Sequence, residues 1–141
     1  MRSDERFLLD TAYVVALLNP RDRYHAPARA LMPRVQVAQQ VWVTEAVLFE
    51  VGAAFSANGR QAASSFIRSC YSTGSMQVVS IDTLLLMRAL DLYEARPDKE
   101  WSLTDCTSFL IMEEHGIRSA LTADHHFVQA GYRALLLEPV L

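Results

Sequence analysis

Short apolar runs alternate with capped, helix-patterned segments along the whole chain, and this alternation limits the fold more than any other feature. Strand-like runs fall at residues 6–10, 41–43, 76–81, 119–122 and 134–137. Between them the spacing predicts helices at 12–18, 24–39, 44–57, 60–73, 83–95 and 105–115, and a short one at 125–130. Thr11 and Thr44 stand where helix caps belong, as does Asp82 or Thr83. Asn58-Gly59 and Gly116 stand where helices end, and Pro33 is expected to kink or split the second helix. Strands separated by helices predict an α/β fold with a mostly parallel sheet. Ligands of such sheets bind beyond the carboxyl ends of the strands.

Four acids fall at or near those ends. Asp10 follows Phe7-Leu8-Leu9, and Asp124 follows Leu121-Thr122-Ala123. Asp105 follows Leu103-Thr104, and Glu50 lies within Val47-Leu48-Phe49-Glu50-Val51. Each has a plain structural reading. Asp10 and Asp124 can cap helices, and Ser102-Leu103-Thr104-Asp105 fits a capping box. Glu50 is hardest to explain that way. Its helical neighbours Ala46, Val47, Ala53 and Ala54 are all apolar, and a charge there is costly without compensation. Glu45, in the first turn of the same helix, complements the helix dipole and reads as structural first and as an outer-shell group second. If the fold gathers the four, their repulsion needs an offset. Two carboxylates about 5 Å apart repel by roughly 3 kcal/mol at an effective dielectric near 20. A hard divalent cation with oxygen ligands supplies the offset, which points to Mg²⁺ or Mn²⁺ and phosphate chemistry.

The chain has 141 residues, of which 51% are hydrophobic, and is expected to form one domain over 1–141 with a substantial core. A net charge of −3 gives no global basic footprint, which argues against a DNA binder acting alone. Twelve of the thirteen basic residues are Arg, the type suited to phosphate forks. Arg21, Arg23, Lys99 and Arg118 are candidate phosphate contacts, with solvated surface as the default for each. Cys70 and Cys106 show no zinc spacing, so a reduced, cytoplasmic protein is expected. Asp10 interrupts the first apolar run and no cleavage site follows, so no signal peptide is expected. No run approaches the roughly 18 apolar residues of a membrane span. Trp42 and Phe127 read as core. Trp101 reads as packing, with base stacking the less favoured option. His25 and His115 read as structural or exposed. His125 and His126 are adjacent on a helix, do not share a face, and are not expected to share a metal.

The segments Phe7-Leu8-Leu9-Asp10-Thr11-Ala12, Val43-Thr44-Glu45-Ala46-Val47-Leu48-Phe49-Glu50, Trp101-Ser102-Leu103-Thr104-Asp105-Cys106-Thr107-Ser108-Phe109 and Leu121-Thr122-Ala123-Asp124-His125-His126-Phe127 occur in this order. Together they resemble the PIN domain, and most of all the small VapC-type toxin nucleases. The resemblance covers essentially the whole chain. It implies a three-layer α/β/α sandwich with a mostly parallel sheet of four to five strands. It also implies an endoribonuclease dependent on Mg²⁺ or Mn²⁺, a cognate antitoxin and a homodimer, for which the apolar helix faces in residues 46–71 are the candidate surface. Carried over by position, Asp10, Glu50, Asp105 and Asp124 match the catalytic, metal-binding acids. Thr11 and Thr122 match polar positions near the metal, and Asp124 either touches metal or acts through water. The implied reaction is in-line hydrolysis without a side-chain nucleophile.

Two other readings compete. One is a catalytically silent PIN module for binding or assembly, against which the intact acidic quartet argues. The other is a small-molecule phosphohydrolase on a similar sheet. A haloacid-dehalogenase-type enzyme needs Asp-x-Asp after the first strand, where residue 12 is Ala. A receiver-type switch finds a possible acceptor in Asp82 but lacks the paired acids after strand one and its lysine.

Overall fold

A computed structural model describes residues 2–139. The strands are β1 (Arg6–Leu9), β2 (Gln40–Thr44), β3 (Met76–Val79), β4 (Ser119–Leu121) and β5 (Arg133–Ala134). The helices are α1 (Thr11–Leu18), α2 (His25–Gln36), α3 (Glu45–Ala54), α4 (Arg60–Ser72), α5 (Thr83–Ala95), α6 (Leu103–His115) and α7 (His125–Gln129). All strand pairings are parallel, in the order β3-β2-β1-β4-β5. Leu8 lies between Trp42 and Ala120 at the centre of the sheet.

Strand alternation sends successive side chains to opposite faces, and both faces are covered. Phe7 and Leu9 pack in one core with Val14, Val47 and Val51, whereas Leu8 packs in the other with Cys106, Phe109 and Met112. Helices α1 to α4 thus build one outer layer and α5 to α7 the other, an α/β/α sandwich. After β3 the chain passes through α5 and α6 and re-enters beside β1. The strand order therefore reverses between β1 and β4, which opens a crevice beyond their carboxyl ends. No helix among the described residues is long and apolar enough to cross a membrane.

Several local expectations need correction. Thr11 is the first residue of α1 and Asp10 is its N-cap. Helix α2 runs through Pro33 without splitting, although proline supplies no N–H there. Helix α3 ends at Ala54, so Asn58-Gly59 does not terminate it. Gly59, at φ 97°, instead leads into α4. Strand β3 stops at Val79, where Glu45 Oε1 accepts the Ile81 N–H and Asp82 caps α5. Only Arg133 and Ala134 form the last strand, and Leu135–Leu137 wind into a 3-10 turn. That turn puts the consecutive residues Leu135 and Leu136 into the same core, whereas a strand sends neighbours to opposite faces.

Candidate active site

Each of the four acids reaches the carboxyl edge of the sheet from its own element. Asp10 directly follows β1 and caps α1 with extended backbone. Asp124 follows β4 and caps α7, its Oδ1 accepting the His126 N–H at 2.9 Å. Asp105 is the third residue of α6 and completes the capping box. Its N–H donates to Ser102 Oγ at 3.0 Å, and its Oδ2 accepts the Ser102 N–H at 3.1 Å. Glu50 lies on α3, which Thr44 caps through the Val47 N–H.

Polar side chains join these acids. Thr122, fully buried, donates its hydroxyl to Asp10 Oδ2 at 2.7 Å and accepts the Asp124 N–H at 3.0 Å. Thr11 donates to Glu50 Oε1 at 2.6 Å, tying α3 to the residue beside Asp10. The His126 ring Nδ1 stands 3.1 Å from Asp105 Oδ2 and 3.3 Å from Asp124 Oδ1. Thr11 and Thr122 thus each hydrogen-bond to one of the acids. Glu50 is half-buried rather than enclosed by an apolar face, because Ala53 and Ala54 are exposed. Glu45 accepts from the Tyr71 hydroxyl and the Ile81 N–H, a structural tie between α3, α4 and the end of β3.

The charge of this edge is uncompensated. Among the described residues, no Lys or Arg nitrogen comes within 4.0 Å of Asp10, Glu50, Asp105 or Asp124, and only His125 and His126 do. Burial pushes the Asp10 carboxyl up to about 7. The Thr122 hydroxyl opposes that shift, and the charges of Asp105 and Asp124 add to it. Burial also raises Asp105, partly offset by the Ser102 N–H and by His126. Asp105 Oδ1, Asp124 Oδ2 and Glu50 Oε2 accept no hydrogen bond among the described residues. Spare carboxylate oxygens on buried and half-buried acids without a Lys or Arg partner are the donor set that a hard divalent cation takes.

The histidine pair departs from expectation. Helix α7 has only five residues, and its first turn folds back on Asp124. Ring nitrogens of His125 and His126 and a carboxylate oxygen of Asp124 all lie within 4.8 Å of one another. His126 was legible only as part of an unremarkable pair. The available signal was its place two residues after an Asp N-cap, where the backbone N–H is bound by the cap. The other candidates behave as packing or surface. Trp101 is buried edge-on against Phe109, donates to Gln129 and lies beneath the Arg96 guanidinium. Trp42 is half-buried and stacks on His115. Phe127 is core. Arg118 precedes β4, on the edge opposite the acids.

A family model of the PIN domain matches residues 7–131. The fold is similar to the crystal structure of Mycobacterium tuberculosis VapC20, a sarcin-ricin loop cleaving toxin, with a TM-score of 0.78 and 25% identity over 89% of this chain and 95% of that chain. Comparison with curated proteins finds no match.

Proposed function

The chain belongs to the PIN domain family, and from that membership we propose that it is a divalent-metal-dependent endoribonuclease, the toxin of a toxin–antitoxin pair. One observation supports this most directly: Asp105 and Asp124 lie near enough to raise the Asp10 carboxyl, and Asp124 that of Asp105, Thr11 ties Glu50 to the residue beside Asp10, and among the described residues no Lys or Arg nitrogen lies within 4.0 Å of any of the four. In this reading Asp10, Glu50 and Asp105 hold Mg²⁺ or Mn²⁺, and Asp124 holds a second ion or orients water. A bound cation supplies a water of lowered pKa and stabilises charge on the phosphate oxygens.

The protein's own residues do the rest. Thr122 steers one oxygen of Asp10, Thr11 steers one of Glu50, and Ser102 with His126 fixes Asp105. Water is the nucleophile: Cys106, next to Asp105, is buried and its thiol is pushed up to about 11 by burial. The substrate is RNA, and the loop carrying Lys99 leads into α6 beside Asp105. A cytoplasmic location, a cognate antitoxin and a homodimer belong to the same reading. Phe49, 82% exposed, and Tyr71, 58% exposed, lie on the α3 and α4 faces and support an association surface there.

The test is cleavage of total RNA, and of a sarcin-ricin loop oligonucleotide, by purified protein with Mn²⁺ or Mg²⁺. The controls are EDTA and Asp105→Asn. Discrete fragments absent from both controls are expected. A folded protein that neither cleaves nor binds metal would overturn the reading.

A further inference from the structure

His126 occupies a position that neither the cap nor the acids require. The Asp124 N-cap needs only the backbone N–H of residue 126, which donates to Oδ1 at 2.9 Å. The ring is an additional contact. Its side chain is 19% exposed and its Nδ1 bonds Asp105 Oδ2 at 3.1 Å while standing 3.3 Å from Asp124 Oδ1. Asp105 belongs to α6 and Asp124 to the turn before α7, and no other residue among those described hydrogen-bonds to both carboxylates: the His126 ring bonds Asp105 Oδ2 and its backbone N–H bonds Asp124 Oδ1. Ionised carboxylates offer only lone pairs, so the nitrogen facing them carries the hydrogen.

We propose that His126 is a positioning residue whose Nδ1–H holds Asp105 Oδ2 beside the Asp124 carboxylate that its own backbone N–H grips, leaving Asp105 Oδ1 and Asp124 Oδ2 turned to a divalent cation. The inference rests on the metal-dependent reading above and deepens it. Residues that orient ligands from behind are worth about 10- to 100-fold in metal affinity.

The assignment is specific to one atom. His126→Asn carries an amide N–H about as far from the backbone as Nδ1. His126→Gln carries its amide at the reach of Nε2, which makes neither contact. His126→Phe keeps the ring and removes both nitrogens. Mn²⁺ affinity is measured by titration calorimetry, with the free-ion spin resonance signal as a second readout and metal-free thermal melts to verify folding. The expected result is affinity within about threefold of the parent for His126→Asn, and about 10- to 100-fold weaker for His126→Gln and His126→Phe.

Equal affinity in all three folded variants overturns the role of His126 while leaving the metal site intact. A loss in His126→Asn as large as in His126→Phe overturns the Nδ1 assignment. Failure of the folded parent to bind Mn²⁺ overturns the metal reading itself, and this inference with it. Should His126→Phe not fold, the comparison of His126→Asn with His126→Gln decides alone.

Discussion

Asp10 is 5% exposed and shares its edge with two other aspartates, so ionising it is costly in the metal-free protein. Its carboxyl rises from the ordinary 3.8 to about 7, and the consequence for stability has a definite sign. Between those values the folded state retains a proton that the unfolded chain has released. The stability this proton contributes is complete below the unfolded value and is lost as pH rises to about 7. The upper limit is about 4 kcal/mol, three units at 1.36 kcal/mol each. In EDTA, Asp10→Asn should therefore stabilise the protein at pH 8 and flatten its melting temperature between pH 5 and pH 8, and with Mn²⁺ it should abolish cleavage. Thermal melts across that range check this, and an unchanged slope would count against it. Thr122 lowers the same carboxyl through its 2.7 Å hydrogen bond. Thr122→Val keeps the shape and removes both bonds of the hydroxyl, at a cost of about 1–3 kcal/mol. Asp10 then titrates higher still, and the acidic limb of the pH–rate profile should move upward. A limb that stays in place would show that Asp10 does not set it.

At the scale of elements, caps were the most legible feature and the ends of strands the least. Gly116 closes α6 in the left-handed region at φ 66°, as its place after His115 predicts. Gly59 opens α4 rather than closing α3, because a glycine that ends one element and one that opens the next look alike in sequence. The two are separable by substitution. A Cβ at Gly116 meets only the Arg6 guanidinium, at 3.8 Å, so Gly116→Ala costs the left-handed backbone alone, about 1–2 kcal/mol. A Cβ at Gly59 approaches the buried Phe55 ring to 2.9 Å, and its φ of 97° is strained for any side chain. Gly59→Ala should cost more than Gly116→Ala in urea unfolding at unchanged m-value, and the reverse order would refute this local geometry. The capping box and the histidine contact fall on the same carboxylate. Ser102 and Asp105 satisfy each other's backbone, yet Asp105 Oδ2 also receives His126. Either contact alone suggests one role, and the fold places both on a single carboxylate oxygen. His126 stayed hidden for a related reason: helical spacing separates adjacent residues, but a five-residue helix folded onto its own cap does not.

For the whole molecule, the acids draw on every layer. Glu50 comes from the α3 layer, Asp105 from the α6 layer, and Asp10 and Asp124 from the sheet between them. Sequence marks each acid and the order of elements around it, but their convergence depends on the crossover that brings β4 beside β1 rather than beyond β3. A cation held by these acids bridges both outer layers, so its binding should be felt in global unfolding and not only at the edge. The unfolded chain has no such convergence, and preferential binding to the folded state stabilises by about 2.7 kcal/mol at a hundredfold excess over the dissociation constant. Mn²⁺ should therefore raise the melting temperature of the parent protein in a saturable way, and EDTA should reverse the rise. The Asp10→Asn and Asp105→Asn variants should lose the response while melting cooperatively without metal. A response of equal size in both variants would place the bound ion at other acids and remove the physical basis for assigning catalysis to this edge.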